Sequence, residues 1–235
     1  MNNSDVFDVE KSASQDLADA PSFERIKVNK KPTYCFFKRT LDIILSLVAL
    51  IVAFPFMLIL SLIIIIDSPG ASPIYRQKRI GMNGKVFWFY KFRTMVANAD
   101  DMLDSLLDKN EMEGPAFKIK DDPRITRVGK FIRRTSIDEL PQLWNVLKGD
   151  MSVVGPRPER EYFYVEFEKE IPNFRDRLLV AQGLTCIAQV NGCYDLTPAG
   201  RLDYDIEYIQ KQSAWTDFKC ILKTFVVLFN HKGAR

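Results

Sequence analysis

IILSLVALIVAFPFMLILSLIIII, residues 43–66, is the stretch of the 235-residue chain that decides its fold. It contains no charged residue, and Pro55 is its only helix-breaking residue. In a helix it would be roughly 36 Å long, enough to cross a hydrocarbon core of about 30 Å. It starts too far into the chain and is too long for a secretory signal, and no small-residue cleavage site follows it. The sequence therefore predicts a membrane segment.

Basic residues flank this segment on both sides. They are Lys27, Lys30, Lys31, Lys38 and Arg39 before it, and Arg76, Lys78, Arg79 and Lys85 after it. Because basic residues mark the cytoplasmic side, a straight spanning helix violates this rule at one end and a re-entrant hairpin at neither. Pro55 costs about 3 kcal/mol inside a helix and kinks or breaks it. A kinked spanning helix is the alternative, but charge symmetry favours a re-entrant helix broken at Pro55.

The composition argues against several classes of site. The four cysteines are far apart and the single histidine is His231, which does not fit a zinc site, a disulfide framework or a Cys-His catalytic pair. A net charge of +3 is too small to indicate nucleic-acid binding. We expect a reduced, cytosol-facing compartment.

The remaining sequence predicts four regions around this segment. Residues 1–33 are rich in polar residues and are expected to form a disordered tail before one domain over 34–235. Glycines followed by an alternating aromatic run over 86–93 predict a β-hairpin at the membrane edge. Residues 95–108 have apolar residues at helical spacing and predict a surface helix. Residues 215–229 mix aromatic residues with lysines, which suits either a helix in the membrane interface or a core helix.

Two adjacent carboxylates, Asp138 and Glu139, follow five basic residues in the stretch 121–142. Ser136, three residues before Glu139, fits a helix-capping box, although a helix start nearer Asp138 is an alternative. An aspartate can attack phosphorus while a neighbouring glutamate holds a divalent cation, and arginines clamp the phosphate oxygens. Taken alone, such a pair is usually only a solvated helix face.

The stretch Gly155-Pro156-Arg157-Pro158 strengthens the functional interpretation. Two prolines fix the backbone and aim one guanidinium, which suits an anion such as a nucleotide diphosphate. A rigid loop whose arginine pairs with a nearby acid explains the same residues.

An ordered series of motifs runs from about residue 38 to the C-terminus. It comprises Lys38-Arg39, Pro55, Arg79-x-Gly81-x-x-Gly84, Tyr90-Lys91-Phe92-Arg93-Thr94-Met95, Asp122-Pro123-Arg124-x-Thr126, Arg133, Ser136-x-Asp138-Glu139-Leu140, Gly155-Pro156-Arg157-Pro158 and Gln189-Val190-Asn191-Gly192. With these motifs the chain resembles the monotopic bacterial phosphoglycosyl transferases, also called the bacterial sugar transferase family, which initiate exopolysaccharide, O-antigen and glycoprotein glycan assembly.

The resemblance implies an α+β, predominantly helical fold with a re-entrant membrane helix, interfacial helices and a small β-hairpin. It implies a catalytic domain on the cytoplasmic side of the bacterial inner membrane, Mg²⁺ as cofactor, and a UDP-sugar and polyprenyl (undecaprenyl) phosphate as substrates. Asp138 would attack the phosphate that carries the sugar and expel UMP, and Glu139 together with Asp138 would ligate Mg²⁺. The implied substrate- and phosphate-binding residues are Lys38, Arg39, Lys91, Arg93, Arg133, Pro156, Arg157 and Asp217.

The chain departs from the family pattern in its substrate loops. Members commonly have Pro-Gly-x-Thr-Gly where this chain has Gln182 to Cys186, and Arg or Lys at the position of Cys193. The sugar is therefore not assigned, and the alternative functions are a non-catalytic membrane scaffold or regulator and a glycosyltransferase with one spanning anchor. The resemblance covers only the catalytic part of longer relatives, and the oligomeric state, a homodimer included, is open.

Overall fold

The computed structural model describes residues 26–28, 31–111, 119–192 and 196–229. Most of the predicted tail over 1–33 lies outside the described residues, as do Cys193 and His231. Ile26 and Val28, which the sequence analysis assigns to that tail, pack against a core cluster that contains Tyr208 and Ile209. Part of the region before the membrane segment therefore contributes to the packed structure.

Helix α1, Pro32–Asp67, is the longest element and contains the predicted membrane segment. We expected Pro55 to break it, but the helix continues through Pro55 without interruption. A proline can remain inside a helix when the axis bends to relieve the clash with the preceding turn. Because the helix continues on both sides of Pro55, we expect this residue to bend the helix axis and not to end the helix.

Most of α1 is exposed. Its buried residues are Asp42, Ser46, Leu60 and Ile64, which lie towards its two ends. The most apolar 18-residue window has a mean hydropathy of 3.1 and is only 11% buried. A core helix of the same composition would be covered by protein, so α1 is a membrane-associated segment.

The predicted β-hairpin is confirmed. Strands β1, Ile74–Ile80, and β2, Val86–Phe92, pair antiparallel, with Ile74 opposite Phe92 and Ile80 opposite Val86. A 3-10 turn over Met82–Gly84 joins them. Asn83 and Gly84 adopt positive φ there, which suits these two residue types.

The predicted surface helix over 95–108 is wrong. Residues 97–102 form turns, and a 3-10 helix follows at Asp104–Lys109. Asn98, Asp100 and Asp101 have short polar side chains that compete for backbone hydrogen bonds, and this favours turns over an α-helix. The apolar spacing alone was an insufficient guide.

The remaining elements are short, and most are helical. They are α2 Arg127–Arg134, a 3-10 helix Ile137–Glu139, α3 Gln142–Lys148, β3 Ser152–Val154, α4 Glu161–Glu168, a 3-10 helix Phe174–Leu179, β4 Gly183–Thr185, α5 Ile187–Val190, α6 Pro198–Lys211 and α7 Ala214–Phe229. Strands β3 and β4 form a second, parallel pair that the sequence analysis did not predict. The predominantly helical α+β architecture is confirmed.

Helix α7 has one covered face and one bare face. Cys220 and Ile221 lie in the core cluster built on Val154, Val180, Tyr208 and Ile209. Its outer face exposes Trp215, Phe218, Leu222, Phe225 and Val226. The core-helix alternative therefore accounts for only one side of α7.

Candidate active site

Asp138 and Glu139 lie in the short 3-10 helix between α2 and α3. The predicted capping box is wrong, because Ser136 adopts a left-handed conformation with φ 56° and its side chain makes no capping hydrogen bond to the 3-10 helix Ile137–Glu139. Helix α3 begins only at Gln142, after Pro141. Proline has no backbone N–H and therefore fits just before a helix begins, where no such donor is needed. Both carboxylates consequently stand in a tight turn ahead of α3.

Asp138 is half-buried, and within the described part of the chain its carboxylate makes no hydrogen bond or ion pair. Burial, reinforced by the charge of Glu139, raises the pKa of Asp138 to about 6, against the opposing charges of Lys91, Arg133 and Arg157. Cations therefore surround this carboxylate without neutralising it by contact. A carboxylate with a raised pKa and no direct partner among the described residues is a candidate nucleophile.

Lys91 projects from β2 towards the same place. It lies opposite Tyr75 on β1, with its ammonium 5.4 Å from the centre of the tyrosine ring. Burial and nearby Arg133 lower the pKa of Lys91 to about 8, while Asp138 and Glu139 act in the other direction. Lys91 too has no hydrogen-bonded or ion-paired partner among the residues that the structure describes. It is a cation available to an incoming anion.

Arg133 comes from α2 and is held in place by Thr94. Its Nε donates a hydrogen bond of 2.8 Å to Thr94 Oγ1. Helix α2 approaches Thr94 closely at Gly129, where a Cβ atom would lie 2.0 Å from the Thr94 carbonyl oxygen. Only glycine permits this approach. Burial lowers the pKa of Arg133 and the charge of Asp138 opposes that effect, which puts the guanidinium within electrostatic reach of the carboxylate.

Arg157 pairs with Glu139 through both ends of its guanidinium. Nη1 donates to Oε2 at 3.2 Å and Nη2 donates to Oε1. The sequence allows two interpretations of Arg157, as an anion-binding residue and as the partner of a nearby acid. The acid turns out to be one of the two predicted site carboxylates, so the loop and the carboxylates form one site.

The loop that carries Arg157 is fixed by backbone contacts. Gly155 N donates to Thr185 O at 3.0 Å, and the Pro156 carbonyl accepts from Gly183 N at 2.7 Å. A Cβ atom at Gly155 would lie 2.2 Å from the Ala181 carbonyl oxygen, so glycine is required there. Pro156 thus acts through its rigid backbone.

Arg177 and Asp205 support the same loop and were missed by the sequence analysis. They form a fully buried ion pair of 2.7 Å, and Arg177 Nη2 also donates to the Arg157 carbonyl at 3.1 Å. Because the two residues are distant in sequence and lie in no recognisable charge pattern, no local signal could have paired them.

We call Lys91, Arg133, Asp138, Glu139 and Arg157 the carboxylate cluster. It contains three cations and two acids, and its charges belong to β2, α2, the 3-10 turn and the loop after β3. This excess of positive charge favours a phosphate or diphosphate.

Lys38 and Asp217 lie in a second polar cluster. Lys38 Nζ donates to Asp217 Oδ2 at 2.9 Å and to the Val154 carbonyl at 2.9 Å. Asp217 also accepts from Tyr34 OH at 2.8 Å and from Tyr208 OH at 2.9 Å. We call Tyr34, Lys38, Asp42, Tyr208 and Asp217 the α1 anchor. None of the contacts described for Lys38 or Asp217 reaches the carboxylate cluster.

Asp42 completes the α1 anchor and was also missed by the sequence analysis. Its Oδ1 accepts a hydrogen bond of 2.9 Å from Val153 N, so α1 holds both a donor and an acceptor of β3. A usable signal existed, because Asp42 is a charged residue one turn after Lys38 at the edge of an apolar run.

Arg39 and Arg93, both predicted phosphate-binding residues, are bound to backbone carbonyls. Arg39 donates to Val146 O at 2.7 Å and to Leu147 O at 2.8 Å, which caps the C-terminal end of α3. Arg93 Nε donates to Ser72 O at 2.8 Å, and its guanidinium lies over the Tyr75 ring near Lys91. A phosphate role for them stays a prediction.

The described residues contain no group of three or more His, Cys, Asp or Glu side chains arranged to hold a metal ion. Asp138 and Glu139 nevertheless offer two adjacent carboxylates beside an anion-binding surface. Mg²⁺ is commonly bound by one or two carboxylates together with substrate phosphates. This donor set fits a cation shared with a bound phosphate better than a closed protein site.

Comparison with known proteins places these features in a family. Residues 33–231 match the profile of the family described as Bacterial sugar transferase. The chain is 41% identical over 206 residues to the galactosyl transferase CpsE of Streptococcus agalactiae, covering 87% of this chain and 45% of that protein. It is 42% identical over 203 residues to the undecaprenyl-phosphate galactose phosphotransferase of Salmonella typhimurium, covering 85% and 42%.

A third relative is the UDP-glucose:undecaprenyl-phosphate glucose-1-phosphate transferase of Xanthomonas campestris, 38% identical over 215 residues, covering 88% of this chain and 42% of that protein. The chain thus spans less than half the length of these three relatives. Their names mention galactose or glucose, so the similarity does not single out one sugar.

Proposed function

Because this chain belongs to the bacterial sugar transferase family, we propose that it is a phosphoglycosyl transferase that moves a sugar-1-phosphate from a UDP-sugar to undecaprenyl phosphate. This step would initiate the synthesis of a polysaccharide or another glycoconjugate. One observation carries the proposal: the half-buried carboxylate of Asp138 makes no hydrogen bond or ion pair with the described residues, although cations of three other elements surround it. The names of the relatives support the two substrate classes.

In the first step, a carboxylate oxygen of Asp138 attacks the phosphorus that carries the sugar. A bond forms between this oxygen and phosphorus, and the anhydride bond to the nucleotide breaks. UMP leaves with the bonding electrons, and the sugar phosphate remains on Asp138 as an acyl phosphate. The raised pKa of Asp138 fits this role, because a carboxylate that is poorly stabilised by its surroundings is a better nucleophile than a well-solvated one.

In the second step, an oxygen of undecaprenyl phosphate attacks the same phosphorus. The acyl phosphate bond breaks, the carboxylate of Asp138 is restored, and the sugar leaves on a lipid diphosphate. Lys91 and Arg133 would neutralise the phosphate oxygens in both steps, since both face Asp138 from separate elements. Arg157 would bind the nucleotide diphosphate.

Glu139, with Asp138 beside it, would hold Mg²⁺. When bound there, the cation would withdraw charge from the phosphate oxygens and so favour attack by an anionic carboxylate.

Covalent capture tests the proposal. The purified chain is incubated with UDP-glucose, UDP-galactose or another UDP-sugar and Mg²⁺, and the intact mass is measured before undecaprenyl phosphate is added. We expect a mass increase of one sugar phosphate on Asp138, accompanied by UMP release, and loss of the adduct on addition of the lipid. An adduct on another side chain contradicts the proposed nucleophile. If no UDP-sugar releases UMP although Asp138 is intact, the non-catalytic scaffold is favoured instead.

We also propose that α1 is re-entrant, entering and leaving the bilayer on the cytoplasmic side. Both of its ends contact the globular part of the chain. Near its start, Arg39 binds Val146, which belongs to the same core cluster as Phe89. Near its end, Leu60 lies in the cluster that contains Phe92.

The spacing of these partners supports a bend. Phe89 and Phe92 are three residues apart on β2, a distance of about 10 Å. In a straight helix, residues 39 and 60 would be separated by about 30 Å. A bend at Pro55 would shorten this separation and leave the exposed apolar residues between the two contacts facing lipid.

The bare outer face of α7 supports the same orientation. Its aromatic and aliphatic side chains are accompanied by Lys219, whose ammonium lies 5.4 Å from the centre of the Trp215 ring. A helix of this composition suits the boundary between lipid headgroups and acyl chains. We therefore propose that the catalytic part rests on the inner face of the bacterial inner membrane.

Labelling of the N-terminal side tests the re-entrant helix. In a Cys35→Ser background, Asn3→Cys is treated with a membrane-impermeant maleimide in intact cells and after lysis. We expect labelling only after lysis. Labelling in intact cells is the result that a single spanning anchor predicts, and it would exclude the re-entrant arrangement while leaving the transfer chemistry open.

A further inference from the structure

The ion pair between Glu139 and Arg157 joins two residues that the proposed reaction requires for different partners. Both terminal nitrogens of Arg157 donate to the Glu139 carboxylate. The two side chains remain 21% and 30% exposed, so ions in solution can reach the pair. A guanidinium fork matches carboxylate and phosphate alike, and it can hold only one of them at a time in this two-bond geometry.

The backbones that carry this pair are fixed. Arg157 stands between two prolines, and its carbonyl accepts a hydrogen bond from the buried Arg177. Glu139 is held in the 3-10 turn that Pro141 closes off from α3. A change of partner therefore requires rotation of the two side chains and no movement of the chain around them.

We propose that Glu139 and Arg157 exchange partners when substrate binds: Glu139 occupies the arginine fork that the nucleotide diphosphate takes, and releases it when a divalent cation takes the carboxylate. The inference rests on the proposed function, in which the substrate is a nucleotide diphosphate sugar. The pair thereby selects the cation complex of the nucleotide over the bare anion.

The selection follows from what each ligand leaves behind. A bare diphosphate that displaces Glu139 leaves an unpaired carboxylate next to Asp138, where the two acids already repel each other. When the diphosphate arrives with a divalent cation, the diphosphate takes Arg157 and the cation becomes the new partner of the Glu139 carboxylate. Binding of the cation and binding of the nucleotide are therefore coupled, and each strengthens the other to the same extent.

Removal of the Glu139 charge gives a counterintuitive test. UDP binding to the full chain in detergent is measured by calorimetry in EDTA, so that no divalent cation takes part. We expect Glu139→Gln to bind UDP about tenfold more tightly than the unsubstituted chain, because the charged competitor for Arg157 is gone. Asp138→Asn is the matched control, since it removes the same charge one residue away and leaves the ion pair in place. Its gain should be at most about threefold.

A double variant separates release of Arg157 from the change in charge. When Arg157 is already replaced by glutamine, adding Glu139→Gln should give no further gain in UDP binding over Arg157→Gln alone. If Glu139→Gln binds UDP no better than Asp138→Asn does, or if the double variant keeps the gain, the exchange is refuted. UDP binding by the unsubstituted chain with Mg²⁺ is measured in parallel. Failure of that binding counts against the proposed function, whereas a missing gain in Glu139→Gln alone counts only against the exchange.

Discussion

The carboxylate cluster and the α1 anchor are built from the same kinds of residue but differ in how far their charges are paired. In the α1 anchor, Asp217 accepts hydrogen bonds from a lysine and two tyrosines, all at 2.8 to 2.9 Å. In the carboxylate cluster, Asp138 and Lys91 make no such contact with described residues, and their pKa values move to about 6 and about 8. Charged side chains that are already hydrogen-bonded, such as Asp217, stabilise the fold. Charged side chains that lie close together without direct contact, such as Asp138 and Lys91, can interact with a substrate.

The comparison also separates binding from support. The α1 anchor holds Val153 and Val154 of β3, and the chain continues directly from this strand into the loop of Arg157. Lys38 and Asp217 therefore hold the strand that leads to Arg157, and none of their described contacts reaches the carboxylate cluster. The phosphate contact that the family resemblance implies for both residues stays a prediction.

The largest expected effect comes from Asp138→Asn. An amide cannot form the acyl phosphate, so UMP release and the covalent adduct should fall at least about a thousandfold. The free energy of unfolding should change by less than about 0.5 kcal/mol, because Asp138 makes no hydrogen bond with the residues that the structure describes. UMP release and chemical denaturation in mild detergent measure both. Turnover within tenfold of the original rate would show that this carboxylate is not the nucleophile.

The same substitution in the other cluster should behave in the opposite way. Asp217→Asn leaves Lys38 without its acid, and each side chain of this pair is only 14% exposed. We expect the free energy of unfolding to fall by about 3 kcal/mol. At temperatures where the variant is folded, the covalent adduct should still form. Loss of the adduct in a variant of unchanged stability would instead place Asp217 in the reaction.

The pH dependence of substrate capture isolates Lys91. With a pKa of about 8, the ammonium of Lys91 is charged below this pH and neutral above it. Burial and the charges of Arg133 and Arg79 lower this pKa, and the charges of Asp138 and Glu139 raise it. We expect kcat/KM for the UDP-sugar to fall about tenfold per pH unit above 8, since this parameter reports the free enzyme. Lys91→Arg keeps its charge and should remove that decline. An unchanged decline in Lys91→Arg assigns it to another group.

The smallest expected effect concerns Arg39. Arg39→Gln removes a charged cap from the C-terminal end of α3, and the free energy of unfolding should fall by about 1 to 2 kcal/mol. The KM for undecaprenyl phosphate should stay within about twofold. The reverse pattern, a KM several times higher at unchanged stability, would support the phosphate-binding role that the family resemblance implies for Arg39.

Local patterns carried the successful predictions. An uncharged apolar run gives α1, and alternation around two glycines gives the hairpin. The order of charges over 121–157 indicated Asp138, Glu139, Arg133 and Arg157, which the structure brings close together, while their catalytic roles stay a prediction. These signals lie within a few residues of one another, where spacing translates directly into geometry.

Contacts between distant residues and subtle local competition could not be predicted from the sequence. Lys38 meets Asp217 across 179 positions of the chain, and the sequence offers no sign that one would neutralise the other. The helix start at Gln142 was missed because Ser136 and Glu139 match a capping pattern that the left-handed backbone of Ser136 excludes. Spacing alone does not reveal which of two allowed conformations a serine takes.

The α1 anchor has a consequence for biosynthesis. The carbonyl partners of Arg39, on Val146 and Leu147, are synthesised 107 and 108 residues after it. The carboxylate partner of Tyr34, on Asp217, is synthesised 183 residues after it. At ribosomal speeds of about 5 to 20 residues per second, these groups wait on the order of ten seconds after the apolar run has left the ribosome. During that interval their final partners do not yet exist, and water and lipid headgroups would solvate them. In the proposed re-entrant arrangement, the start of α1 would therefore remain at the surface of the bilayer until α7 is synthesised and docks against it.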